Sequence, residues 1–167
     1  MQTTLNKIRA HSPCENGWKK LLINLGKTKA DDEPLALTTI LESNGLEDAL
    51  WCLRAVDGHQ REMRLYAVEC ARSVQHLMTD KRSLDALDAA EHFANGKATQ
   101  QELDAAKDAA MDAAWAATGA AARYAAWDAA RAATWDAAWV ATWDAAWAAG
   151  DAQANLFVLM CEGAFDE

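Results

Sequence analysis

The feature that most constrains this chain is the alanine-rich tract from Ala105 to Ala149. Tryptophan returns in it every four or eight residues, as in "WDAARAATWDAAWVATWDAAW" at 127–147. Alanine has the highest intrinsic helix propensity, so the tract reads as helix. A helix turns once in about 3.6 residues, and a four-residue step therefore overshoots a full turn by about 40°. With Trp127 at zero, Trp135, Trp139, Trp143 and Trp147 fall at about 80°, 120°, 160° and 200°. The indoles spiral over half the helix surface. A coiled coil needs its apolar residues on one narrow seam with a period near 3.5, and this pattern drifts too fast to supply one.

Two physical readings of the spiral remain. In the first, the helix is central in a bundle and each tryptophan fills a gap against a different neighbour, while alanine permits close approach. In the second, part of the spiral is exposed and binds a partner, because tryptophan is enriched in interface hot spots. The first carries more weight, since large aromatics are more often buried than exposed. Asp136 with Trp139 and Asp144 with Trp147 are three apart and so are neighbours on a helix, as are Asp128 and Arg131. Gly119 is where the long helix would break, and Gly150 where it would end.

Aspartates punctuate the same region. Asp104, Asp108 and Asp112 recur at four-residue spacing and form an acidic ridge. Such a ridge is ordinarily a solvated face; its functional reading is a patch that docks a basic partner or imitates DNA phosphates. The net charge of −9 is unevenly placed, with 13 Lys+Arg against 14 Asp+Glu in residues 1–98 and 3 against 11 in residues 99–167. The acidic C-terminal part disfavours direct binding of nucleic acid, whose affinity rests on cationic side chains. It would attract a basic protein surface instead.

The first hundred residues carry helix punctuation. Residues 3–10 read as a short helix, followed by a "HSPCENG" turn with Pro13 and Gly17. "WKKLLINLG" places Trp18, Leu21, Leu22 and Leu25 on one face, with Gly26 as its stop. "KTKADDEP" is a polar connection, and Pro34 suits the first turn of a helix over "LALTTILES". Asn44 with Glu47, and Asp57 with Gln60, read as start signals for "LEDALWCLRAV" and "REMRLYAVECARSVQHLM". Met63, Tyr66, Ala67, Cys70, Val74 and Leu77 make one apolar stripe of the latter. Ser83 starts "LDALDAAEHFANG", which Asn95 and Gly96 stop. Thr99 and Glu102 form a capping box ahead of the alanine tract.

Strand signals are nearly absent. The expected fold is all-α: one domain over 1–167, a helical bundle of about six or seven helices with a long Ala/Trp-rich C-terminal helix. Within it, 1–97 is a short-helix subregion and 98–167 the Ala/Trp/Asp-rich one. "NLFVLMCEGAF" is short and apolar and most simply docks back on the body, or packs in a homodimer.

Catalytic signatures are missing. "LGKTKADD" resembles the end of a phosphate-binding loop, but the motif requires glycine where Leu21 stands, and no strand precedes it. Cys14, Cys52, Cys70 and Cys161 are scattered and, with His11, His59 and His76, lack the short paired spacing of a zinc site. Cys70 and His76, six apart, would lie on nearly opposite sides of one helix and cannot act as a nucleophile and base pair. Glu62, Glu69 and His76 recur at seven as a polar stripe, read as a solvent face. Arg54, Arg61, Arg64 and Arg72 concentrate positive charge on the middle helices, read as balancing acidic residues within the fold. No enzyme, cofactor or metal is expected. Scattered cysteines, no signal-peptide pattern and charges throughout the apolar tract lead to the expectation of a cytoplasmic protein with no membrane partner.

The run "HSPCENGWKKLLINLGKTKADDEPL", then "SNGLEDALWCLRAV" and "ARSVQHLMTDKRSLDALDAAEHFANGKAT", resembles a family of small all-α bacteriophage and prophage proteins with a variable alanine-rich tail. The later part also resembles predicted all-α immunity proteins of toxin systems. The likeness covers most of residues 5–105 and implies a small, non-secreted accessory protein of phage origin that binds and blocks another protein. A phage anti-defence inhibitor, for example of the anti-CRISPR type, is the leading expectation, with a toxin-immunity protein as the alternative and a self-assembling phage protein as the rival from another class. The partner-binding residues expected are Asp104, Asp108, Asp112, Asp128, Asp136, Asp144, Trp135, Trp139, Trp143 and Trp147.

Overall fold

A computed structural model describes residues 1–116, 124 and 150–165 of the chain. The fold class is all-α. Eight α-helices lie among the described residues, and the sheet there is a pair of two-residue strands. The chain divides into two compact units: Met1–His59 with Ala141–Glu167, and Gln60–Val140.

In the first unit, β1 (Gln2–Thr3) pairs antiparallel with β2 (Leu35–Ala36), Thr3 opposite Leu35. The pairing displaces the expected helix start, because the helix begins at Leu37, beyond the strand that Pro34 precedes. Between the strands run α1 (Leu5–Ala10) and α2 (Glu15–Asn24). Gly17, expected in a turn, is inside α2, where a Cβ would come within 2.8 Å of Asp48 Oδ2. Its missing side chain lets α2 lie against that carboxylate.

Gly26 does stop α2. With φ of +64°, it brings its own N–H to Ile23 O and that of Lys27 to Leu22 O, at 3.0 and 2.9 Å. These two bonds satisfy carbonyls that the helix end leaves open. α3 (Leu37–Asn44) is followed by α4 (Leu46–Cys52) and a 3-10 turn over Leu53–Ala55. Asn44 does not cap α4; Gly45 occupies that position, and Asn44 Nδ2 donates to Gly17 O and Asp48 Oδ2. Asp57 likewise is taken by Lys7, at 2.5 Å.

The core of this unit is built from Leu5, Ile8, Leu37, Ile40, Leu50 and Leu53, all at most 2% exposed. In α2, Leu21 is buried while Trp18, Leu22 and Leu25 are half-buried, so the expected face is the inner one.

The second unit opens with α5 (Gln60–Ser73), followed by a 3-10 turn over Gln75–Leu77. Met63, Tyr66 and Ala67 are buried as expected, but Val74 and Leu77 fall beyond the helix. The buried face also takes in Arg64, Val68 and Ala71. α6 (Lys81–Ala94) starts one turn earlier than expected, capped by Asp80, whose side chain accepts from the Arg82 N–H at 2.9 Å. Ser83 is therefore a buried interior residue of α6.

At the other end Gly96, with φ of +68°, closes α6 as expected, and the Lys97 N–H reaches His92 O. α7 (Gln100–Ala116) starts at the expected capping box, with Glu102 Oε2 accepting from the Thr99 N–H at 2.7 Å and the Glu102 N–H donating to Thr99 Oγ1 at 3.3 Å. α5 packs on α6, and α6 on α7 through Ala86 and Ala110, both fully buried, with Ala106 and Met111 beside them.

α8 (Gly150–Cys161) belongs to the first unit and packs against α3. Gly150 is the first described residue of this helix, and the tract that it was expected to end lies outside the described residues. Phe157 and Met160 are at most 1% exposed, so "NLFVLMCEGAF" does dock back on the body. The tryptophan spiral, Asp128, Asp136, Asp144 and Gly119 lie outside the described residues.

Candidate functional site

The candidate site is the outer face of α7. Its inner face is fixed by Leu103, Ala110, Ala113 and Ala114, each at most 1% exposed. At about 100° per residue these four occupy an arc of roughly 100°. Asp104, Asp108 and Asp112 lie on the other side, and all three are exposed. Taking Asp104 as zero, Asp108 falls at about 40° and Asp112 at about 80°. Trp115 falls between them, at about 20°. Its side chain is 71% exposed, next to the acidic ridge.

The electrostatics of this face are one-sided. α7 carries Glu102, Asp104, Asp108 and Asp112 against a single base, Lys107. Asp104 Oδ1 accepts from Gln100 Nε2 at 2.8 Å, which fixes the first carboxylate along the helix. Near Asp112 the charge is partly answered by Arg82 of α6. The Arg82 guanidinium is held above its ordinary pKa chiefly by its hydrogen bond to Asp80, with Asp112 adding a smaller attraction. Glu102 differs from the three aspartates, since its carboxylate is spent on the Thr99 backbone and hydroxyl, and those bonds lower its pKa.

Trp115 is not among the indoles expected to be exposed, which are Trp135, Trp139, Trp143 and Trp147. The signal was present, because Asp112 and Trp115 repeat the three-residue spacing of Asp136 with Trp139. Those four tryptophans, with Asp128, Asp136 and Asp144, lie outside the described residues. Of the ten residues expected to bind a partner, the three on α7 are brought together on one face.

The other candidates resolve into internal structure. Lys27 of "LGKTKADD" holds Asp31 at 2.6 Å and Glu33 at 2.7 Å, and these bonds raise its pKa. Glu62 and Glu69 are in α5, but the helix ends at Ser73 and His76 sits in the 3-10 turn, so their seven-residue stripe is broken. Arg72 bridges Asp88 and Glu91 of α6, at 2.9 and 2.5 Å. Arg61 bonds Asn95 Oδ1 at 2.9 Å, and Arg64, 4% exposed, lies over the Phe93 ring at 5.0 Å. Arg54 folds over Trp51, at 4.3 Å, within the first unit.

Burial pushes the Cys52 thiol up to about 12 and the Cys161 thiol up to about 11, so both stay protonated near neutral pH. Cys14 is exposed, and its sulfur caps α2. Among the described residues no three His, Cys, Asp or Glu side chains are grouped to hold a metal ion. No helix among them is long and apolar enough to cross a membrane.

No family model, curated protein or solved structure matches the chain.

Proposed function

We propose that the chain is a non-enzymatic, acidic helical protein that inhibits a partner protein by covering its functional surface. The observation that carries this reading is the placement of Asp104, Asp108, Asp112 and Trp115 on one exposed face of α7. Long-range attraction by the carboxylates speeds encounter with a basic surface, and a large indole buried on contact supplies affinity. The acidity argues against nucleic acid as the direct ligand. The resemblance to phage and prophage proteins gives the specific form, an anti-defence inhibitor acting in the cytoplasm of the bacterial host. Toxin immunity would use the same surface in the same way.

The test is capture from host lysate with the whole chain as bait, followed by affinity measurements on the captured protein across a salt series. The D104N/D108N/D112N variant is expected to lower the association rate and flatten the salt dependence, and Trp115→Ala to raise the dissociation rate. A partner that binds the wild type and both variants with equal affinity and equal salt dependence would refute the proposal. Assembly of the chain with itself would show instead as a mass that rises with concentration in light scattering.

A further inference from the structure

We draw no further inference here: the strongest candidate, the exposed outer face of α7 with Asp104, Asp108, Asp112 and Trp115, belongs to the site already described, and nothing in the structure shows what covers it.

Discussion

Replacing Ala110 by leucine tests whether alanine in this chain is a packing device or a neutral filler. Ala110 and Ala86 are both fully buried where α6 meets α7, with Ala106 and Met111 beside them. Leucine adds three carbons at a position where the neighbouring helix already fills the space. Were there a void, burying them would stabilise the fold by about 0.8 kcal/mol per carbon, roughly 2.4 kcal/mol in total. In a close-packed contact the same carbons force side chains off their rotamers and cost about 1–3 kcal/mol.

The two cases thus differ in sign, and helix propensity does not blur them because leucine ranks just below alanine. We expect the loss. It corresponds to a rise of about 5- to 160-fold in the unfolding equilibrium constant, given RT of about 0.6 kcal/mol. Urea denaturation followed by far-UV circular dichroism reads it directly. Ala105→Leu is the control, because Ala105 is exposed on the same helix and should change stability by no more than about 0.5 kcal/mol. An Ala110→Leu protein as stable as the wild type, or more so, would show that α6 and α7 are not held together through their alanines.

Further expectations concern the helix start, the acid limb of stability and the thiols. Thr99→Ala removes the hydroxyl that accepts the Glu102 N–H and should cost about 1 kcal/mol, most of it regained by Thr99→Ser; equal stability of all three in urea melts would contradict the cap. Asp80 is held down to about 2, first by the Arg82 side chain and then by its backbone N–H. Its folded pKa lies below the unfolded value near 3.9, so its contribution is present above about pH 4 and fades as the pH falls toward 2. The Asp80→Asn protein should show a shallower loss of stability over that window, and an unaltered acid limb would refute the assignment. At pH 8 a disulfide reagent should label Cys14 quickly and Cys52 only on unfolding, since Cys52 is buried and burial keeps its thiol protonated; rapid labelling of Cys52 in the native protein would contradict its burial.

Features that depend on a few adjacent residues were legible in the sequence. Gly26, Asn95 with Gly96, and the Thr99–Glu102 box all act within one turn of chain, and the structure has each in the expected role. Start signals failed where a distant group competed for the side chain. Asn44 is drawn to Gly17 and Asp48, and Asp57 to Lys7, so neither starts a helix. Leu35 and Ala36 became a strand because Gln2 and Thr3 lie beside them, a pairing that spans more than thirty residues of sequence.

The candidate site divides in the same way. Four-residue spacing is enough to align Asp104, Asp108 and Asp112 on a helix, but which face of α7 turns outward depended on α6, whose approach no local pattern encodes. Trp115 follows from that choice. Its position three residues after Asp112 puts it on the outward side, whereas Ala113 and Ala114, its near neighbours in sequence, are buried.

The wiring of the first unit has a consequence for the order of events at the ribosome. α8 packs against α3, yet everything from Gln60 to Val140 is synthesised between the two. The second unit is continuous in sequence, so all of its contacts are available while the first still lacks its last helix. Phe157 and Met160 are buried on this late helix, whose packing partner α3 emerged more than a hundred residues before. Until then a nascent chain carries α3 without that partner, and closing the gap costs loop entropy that grows only as the logarithm of the intervening length. Sequence order thus makes the contacts of the second unit available before those of the first are all present.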